Sequence, residues 1–174
     1  MLVVSLTVNV VLAKRLFQSP TVERFVDPIG SALPPVTVRS MDGMQLQLRF
    51  PGPRTKVLYY LSPECSWCNR NHENIVALAN NASGRFEFVG IALAKELGPI
   101  SSYLSSHPLP FPVYATEDVA WLKSAGLIGT PATLVIDVTG MVQERFRGAY
   151  TASRLASVEE FFQVKLPGVG LSNP

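Results

Sequence analysis

The sequence predicts an α/β domain with a central mixed sheet flanked by helices, and three observations carry that expectation. Two short apolar runs, KVLYYL (Lys56–Leu61) and FEFVGIAL (Phe86–Leu93), bracket a stretch with helical periodicity. The dipeptides Asp42-Gly43 and Thr139-Gly140 each lie between segments that read as strands, which is where hairpin turns place glycine. The last segment carries an apolar stripe at helical spacing, suited to packing on a sheet.

In chain order, the apolar stretch Leu2–Ala13, LVVSLTVNVVLA, comes first and is followed by Lys14 and Arg15. Twelve helical residues reach only about 18 Å against a hydrocarbon core of about 30 Å, so this stretch is too short to span a membrane. Its length suits the core of an export signal better, although the cationic pair lies on the wrong side of it for an exported domain. Residues 1–16 are therefore expected to be a membrane anchor or export signal whose beginning is missing. The competing reading is an amphipathic or buried N-terminal segment of a soluble domain.

Residues 17–35 are rich in Pro, Gly and Ser without steady periodicity and read as a linker. The folded domain is expected over 36–166, with 167–174 as a tail. It opens with VTVRS-MDG-MQLQLRF, an antiparallel entry hairpin.

After KVLYYL, the pattern Ile75, Leu78, Ala79, Ala82 predicts a helix from about Ser66 to Ala82, closed by Ser83-Gly84. With FEFVGIAL the unit becomes strand, helix, strand, which implies a parallel pair and a right-handed crossover. ISSYLSS predicts a short helix, FPVYA a short strand, and EDVAWLKSAG a helix closed by Gly126. ATLVIDV and MVQERFRG make a second hairpin. Ala152–Lys165, with Leu155, Val158 and Phe162 on one face, makes the final helix.

Composition narrows function. Charged residues make up 16% of the chain, the net charge is +2 and no basic run stands out, so the electrostatic footprint of nucleic-acid binding is missing. Two cysteines build no disulfide framework, and they need two more ligands to complete a structural zinc site. Haem attachment needs histidine directly after the second cysteine, where Asn69 stands.

Both cysteines fall in YYLSPECSWCNRNHENI, where KVLYYL gives way to the helix. Cys65 is expected at about the N-cap and Cys68 one turn in. Unpaired N–H groups and the positive end of the helix dipole favour a thiolate at Cys65, so it reads as the nucleophile. Residues three apart on a helix face one another, so Cys68 can attack a mixed disulfide on Cys65 and reads as the resolving thiol. The competing readings are a structural disulfide or two inert thiols.

This strand–CxxC–helix arrangement, followed downstream by GLIGTPATLVIDVTGMV (Gly126–Val142), resembles the thioredoxin-like superfamily over about Leu33–Phe162. Within it, the chain is similar to the TlpA and ResA group of membrane-anchored thiol–disulfide oxidoreductases, and to MauD-like proteins through SPEC-x-x-C. The resemblance implies a thioredoxin-like fold with an extra N-terminal hairpin. It implies exchange of a Cys65–Cys68 dithiol or disulfide with protein partners, and no cofactor beyond that pair. It also places a cis-proline beside the CxxC at Thr130-Pro131, with Thr130 offering backbone groups to an extended substrate by strand addition.

The same resemblance implies a membrane or periplasmic redox partner. The expected location is the bacterial periplasm or the outer face of the cytoplasmic membrane, with the cytoplasm left open. Two alternatives share the fold: a peroxiredoxin-like peroxidase, which lacks the expected proline and threonine before Cys65, and a copper-binding assembly factor, which needs both thiols and His107. No metal ligands are assigned.

Several residues depart from the pattern. Glu64 precedes Cys65 where relatives carry Trp, Ser66-Trp67 lacks the common Pro, and Asn71 replaces a ResA-like acid one turn after Cys68. The residues between the cysteines tune the potential. Trp67 reads either as an apolar rim for a partner or as a packing residue, and Tyr59 and Tyr60 read as core. Glu64, His72 and His107 read as solvated, and the sequon Asn81-Ala82-Ser83 falls at a helix end and is given no role.

Overall fold

The computed structural model describes residues 27–169. Its strands are β1 (Val36–Arg39), β2 (Gln45–Leu48), β3 (Thr55–Leu61), β4 (Phe86–Leu93), β5 (Val113–Thr116), β6 (Ala132–Ile136) and β7 (Val142–Arg147). Its helices are α1 (Ser66–Ala82), α2 (Gly98–Ser106), α3 (Val119–Ser124) and α4 (Ala152–Phe162). The anchor or export-signal reading of residues 1–16 lies outside the described residues, and no described helix is long and apolar enough to cross a membrane.

All seven strands form one mixed sheet in the order β2-β1-β5-β4-β3-β6-β7. β3 lies inside it, parallel to β4 and antiparallel to β6. Buried on both faces, β3 needs the continuous apolar run that the sequence supplies, and Val57 to Leu61 are all buried. Period-two alternation divides that run: Val57, Tyr59 and Leu61 join Ile75 and Leu78 of α1 and Val158 and Phe162 of α4 on one face. Leu58 and Tyr60 join Trp121 and Leu122 of α3, with Leu134 and Val36, on the other.

Both hairpins turn where the glycines allow it. Gly43 and Gly140 sit at φ +91° and +92°, in the left-handed region that side-chain-bearing residues avoid. β1 pairs antiparallel with β2, and β6 with β7.

Ordered pairing begins before Val36. Gly30 N donates to Val142 O at 2.8 Å, Val142 N to Ser31 O at 3.0 Å and Leu33 N to Gly140 O at 3.0 Å. Leu33 is buried, and Ala32 bridges Met141. Residues 30–33 of the stretch read as linker thus line the open edge of β7, satisfying backbone groups that would otherwise face water. Past α4, Gly168 N donates to Asn74 Oδ1 at 2.8 Å, tying the first residues of the expected tail to α1.

Candidate active site

β3 stops at Leu61, and the turn Ser62-Pro63-Glu64 delivers the chain to α1. Cys65 N donates to Ser62 O at 3.1 Å, closing that turn. Cys65 is the N-cap of α1 with extended backbone (φ −84°, ψ 102°), and its sulfur accepts from Cys68 N at 3.2 Å. Cysteine thus takes the place that serine or aspartate usually fills, using sulfur to satisfy one of the orphan N–H groups at the helix start.

The two thiols are free and differ in exposure: Cys65 is partly accessible, whereas Cys68 is fully buried beneath it. Burial, foremost, and the neighbouring Cys65 thiol push the Cys68 thiol up to about 12, while the Ser62 backbone and the Thr130 side chain pull the other way. Cys68 is therefore a protonated reserve at neutral pH. Glu64, beside Cys65, accepts from Ser62 Oγ at 2.7 Å, and that bond holds its carboxyl below the usual range.

Thr130 and Pro131 precede β6, where the chain comes up against Cys68. The Thr130–Pro131 peptide is cis, Pro131 is buried, and the Thr130 side chain reaches Cys68. Trp67, between the cysteines, is 47% exposed, with the Arg70 guanidinium 4.9 Å above its ring.

Beneath Cys68 lies a buried polar group. Asn71 Nδ2 donates to Tyr59 Oη at 3.5 Å, and its Oδ1 accepts from Tyr150 N at 2.9 Å and Asn74 Nδ2 at 3.2 Å. The Tyr150 hydroxyl shares a 2.6 Å bond with Thr133 Oγ1. Burial, then the proximity of Cys68, pushes the Tyr59 phenol well above its ordinary value.

Residues 28–161 match the redoxin family. The chain belongs to the redoxin family. None of the curated protein sequences matches it significantly. Among solved structures, a candidate thiol:disulfide interchange protein DsbE from Chlorobium tepidum superposes with a TM-score of 0.67 at 18% identity, over 78% of this chain and 96% of that one. The thioredoxin domain of a thiol-disulfide oxidoreductase from Bacteroides vulgatus gives 0.65 at 18% identity, over 79% and 99%. A secreted disulfide oxidoreductase of Mycobacterium tuberculosis, homologous to E. coli DsbE, gives 0.59 at 20%, over 73% and 93%. These likenesses establish the thioredoxin-like fold.

In this redoxin the residues expected at the site, Cys65, Cys68, Trp67, Thr130 and Pro131, lie at one end of the sheet although Thr130 comes more than sixty residues after Cys68 in the chain. Tyr59 is core, as expected, but its hydroxyl belongs to the polar group beneath Cys68. His72, read as solvated, instead meets Pro108 O at 3.0 Å and lies edge-on to His107, which stacks on Tyr103. His107 and the thiols form no cluster that could hold a metal ion among the described residues.

Asn71 and Asn74 were not expected to be buried anchors. Their signal was present: Cys68, Asn71, Ile75 and Leu78 follow helical spacing on one face, so Asn71 sits inside the apolar stripe. Arg154 and the 148–151 turn, which share a groove with Trp67 and Thr130, had no local signal.

Proposed function

We propose that this redoxin is a thiol–disulfide oxidoreductase that exchanges a Cys65–Cys68 dithiol or disulfide with protein partners, without a bound cofactor. The observation that carries the reading is the graded pair itself: a partly accessible sulfur on the helix N-cap and a fully buried one a turn into the helix. Thiolate is the attacking species, and access decides which sulfur a partner can reach.

In the reducing direction the Cys65 thiolate attacks one sulfur of the partner's disulfide, and the partner's other sulfur leaves as a thiolate. Cys68 then gives up its proton and attacks the Cys65 sulfur, which breaks the mixed disulfide and releases the partner's second thiolate. Two electrons pass to the partner, which takes up two protons to become a dithiol, and Cys65–Cys68 is left as a disulfide. The reverse sequence oxidises a partner dithiol, and the relative potentials set the direction. The Thr130 backbone, beside the thiols, would pair with an extended partner segment.

The apolar stretch Leu2–Ala13 supports a place outside the cytoplasm, tethered or exported through residues 1–16, as does the secreted character of the mycobacterial structural relative. The deciding experiment is disulfide exchange by Cys65→Ser in an insulin-reduction or scrambled-substrate assay. Activity should vanish, and a variant with full activity would overturn the reading.

A further inference from the structure

A groove of about 220 Å³ opens beside Trp67, which stands between the two cysteines in sequence, and is lined by Trp67, Thr130, Gly148, Ala149, Thr151 and Arg154. Sites for small ligands usually take about 300–1,000 Å³, so this one suits one or two side chains of a bound segment rather than a cofactor. Thr130, on its wall, also reaches the buried Cys68 thiol with its side chain.

Its charge is one-sided. Arg154 is exposed and donates through Nη1 to Ala149 O at 3.0 Å, which fixes its guanidinium against the groove wall. Gly148 makes room for it, since a Cβ there would lie 3.1 Å from the same nitrogen. The wall is anchored to the proline turn by Gly148 N donating to Pro131 O at 2.7 Å. Arg70 covers Trp67 at the rim. Neither guanidinium has an ion pair with a carboxylate among the described residues. Glu64, the acid nearest Cys65 in sequence, is engaged by Ser62 and does not line the groove.

We infer that this groove selects partner segments that carry an aspartate or glutamate within two residues of the reacting cysteine, with Arg154 and Arg70 receiving the carboxylate and Trp67 covering the apolar part. The inference rests on the thiol–disulfide exchange reading. Charge at such a rim sets encounter rate and partner choice more than stability of the complex.

The test uses the reduced protein in stopped flow against peptides carrying one cysteine as a mixed disulfide with thionitrobenzoate, alike except for Asp, Ser or Lys beside the cysteine. The Cys65 thiolate attacks the peptide sulfur and thionitrobenzoate leaves as the coloured thiolate. Rates are divided by those of dithiothreitol with the same peptides, to remove intrinsic reactivity. The normalised order should be Asp, Ser, Lys, with about three- to tenfold between the extremes at low ionic strength, narrowing as salt screens the charges. Arg154→Gln keeps an N–H for Ala149 and removes the charge, and with Arg70→Gln it should flatten the order. Equal normalised rates for the three peptides, or an undiminished Asp preference in the double variant, would overturn the inference while leaving exchange intact. Absence of thionitrobenzoate release from every peptide would instead remove the exchange reading beneath it.

Discussion

Asn71 Oδ1 accepts the backbone N–H of Tyr150 at 2.9 Å, joining the active-site helix to the turn that leads from β7 into α4. Both residues are fully buried, so that N–H has no access to water. Through Tyr150 the turn also reaches Thr133 on β6, two residues beyond Pro131. Asn71 and Tyr150 together thus hold the helix, the turn and β6 in a fixed relation.

Asn71→Ala should therefore cost about 2–4 kcal/mol, from an unsatisfied buried N–H and a small cavity together. Urea unfolding of the reduced protein measures it. Asn71→Asp keeps the acceptor for Tyr150 but loses the donor to Tyr59, and should also fall below the parent, because a carboxylate beside Cys68 would be buried without a cation.

Cys68→Ala removes the second attack while leaving Cys65 on its N-cap. The variant should accumulate a mixed disulfide with its protein substrate that survives non-reducing electrophoresis and disappears with dithiothreitol. Mass spectrometry should place the link on Cys65. A link on another residue, or turnover at the parent rate, would contradict the assigned order of attack.

The Cys68 thiol also makes stability depend on pH. Its unfolded value is about 8.5, and its folded value is pushed up to about 12, chiefly by burial. Above about pH 9 the unfolded chain sheds this proton while the folded protein keeps it. Stability is thus complete below that range and declines as pH rises toward the folded value, with a limiting slope of about 1.4 kcal/mol per pH unit for one proton. The buried phenols of Tyr59 and Tyr150 act in the same direction from a higher starting pH. Urea midpoints should fall between pH 8.5 and pH 10, as bracketed by about those reference values, and should fall less in Cys68→Ala.

Local signals carry much of this fold, and their limits mark what they miss. The stripe Ile75, Leu78, Ala79, Ala82 and the stop at Ser83-Gly84 give a helix over 66–82, and α1 spans Ser66–Ala82. KVLYYL and FEFVGIAL pair in parallel because the crossover helix leaves no other short connection. The thiols and Thr130-Pro131 were legible because the chemistry is written in residue type and spacing. The pairing of residues 30–33 with β7 was not, because it depends on an open edge formed by chain more than a hundred residues later. At Asn71 residue type points to a missing acid, whereas helical phase places the side chain in the core. Arg154 had no signal because its place is set by the turn at Gly148, not by anything beside it in sequence.

Beneath the site, β4 and β5 approach closely at a glycine. Gly90 of β4 lies between Tyr59 of β3 and Val113 of β5. A Cβ at Gly90 would stand 2.8 Å from Val113 Cγ2 and 3.3 Å from Cγ1, on a branched side chain with little freedom to turn away. Gly90→Ala should cost about 1–3 kcal/mol through overpacking. Val113→Ala alone should cost about as much through lost burial and the cavity it leaves. The double variant puts the new methyl where the valine methyls were removed, so its loss should be smaller than the sum of the two by about 1–2 kcal/mol. Simple additivity in urea unfolding would show that β4 and β5 move apart to accept the alanine, and that the close approach at Gly90 does not fix their spacing.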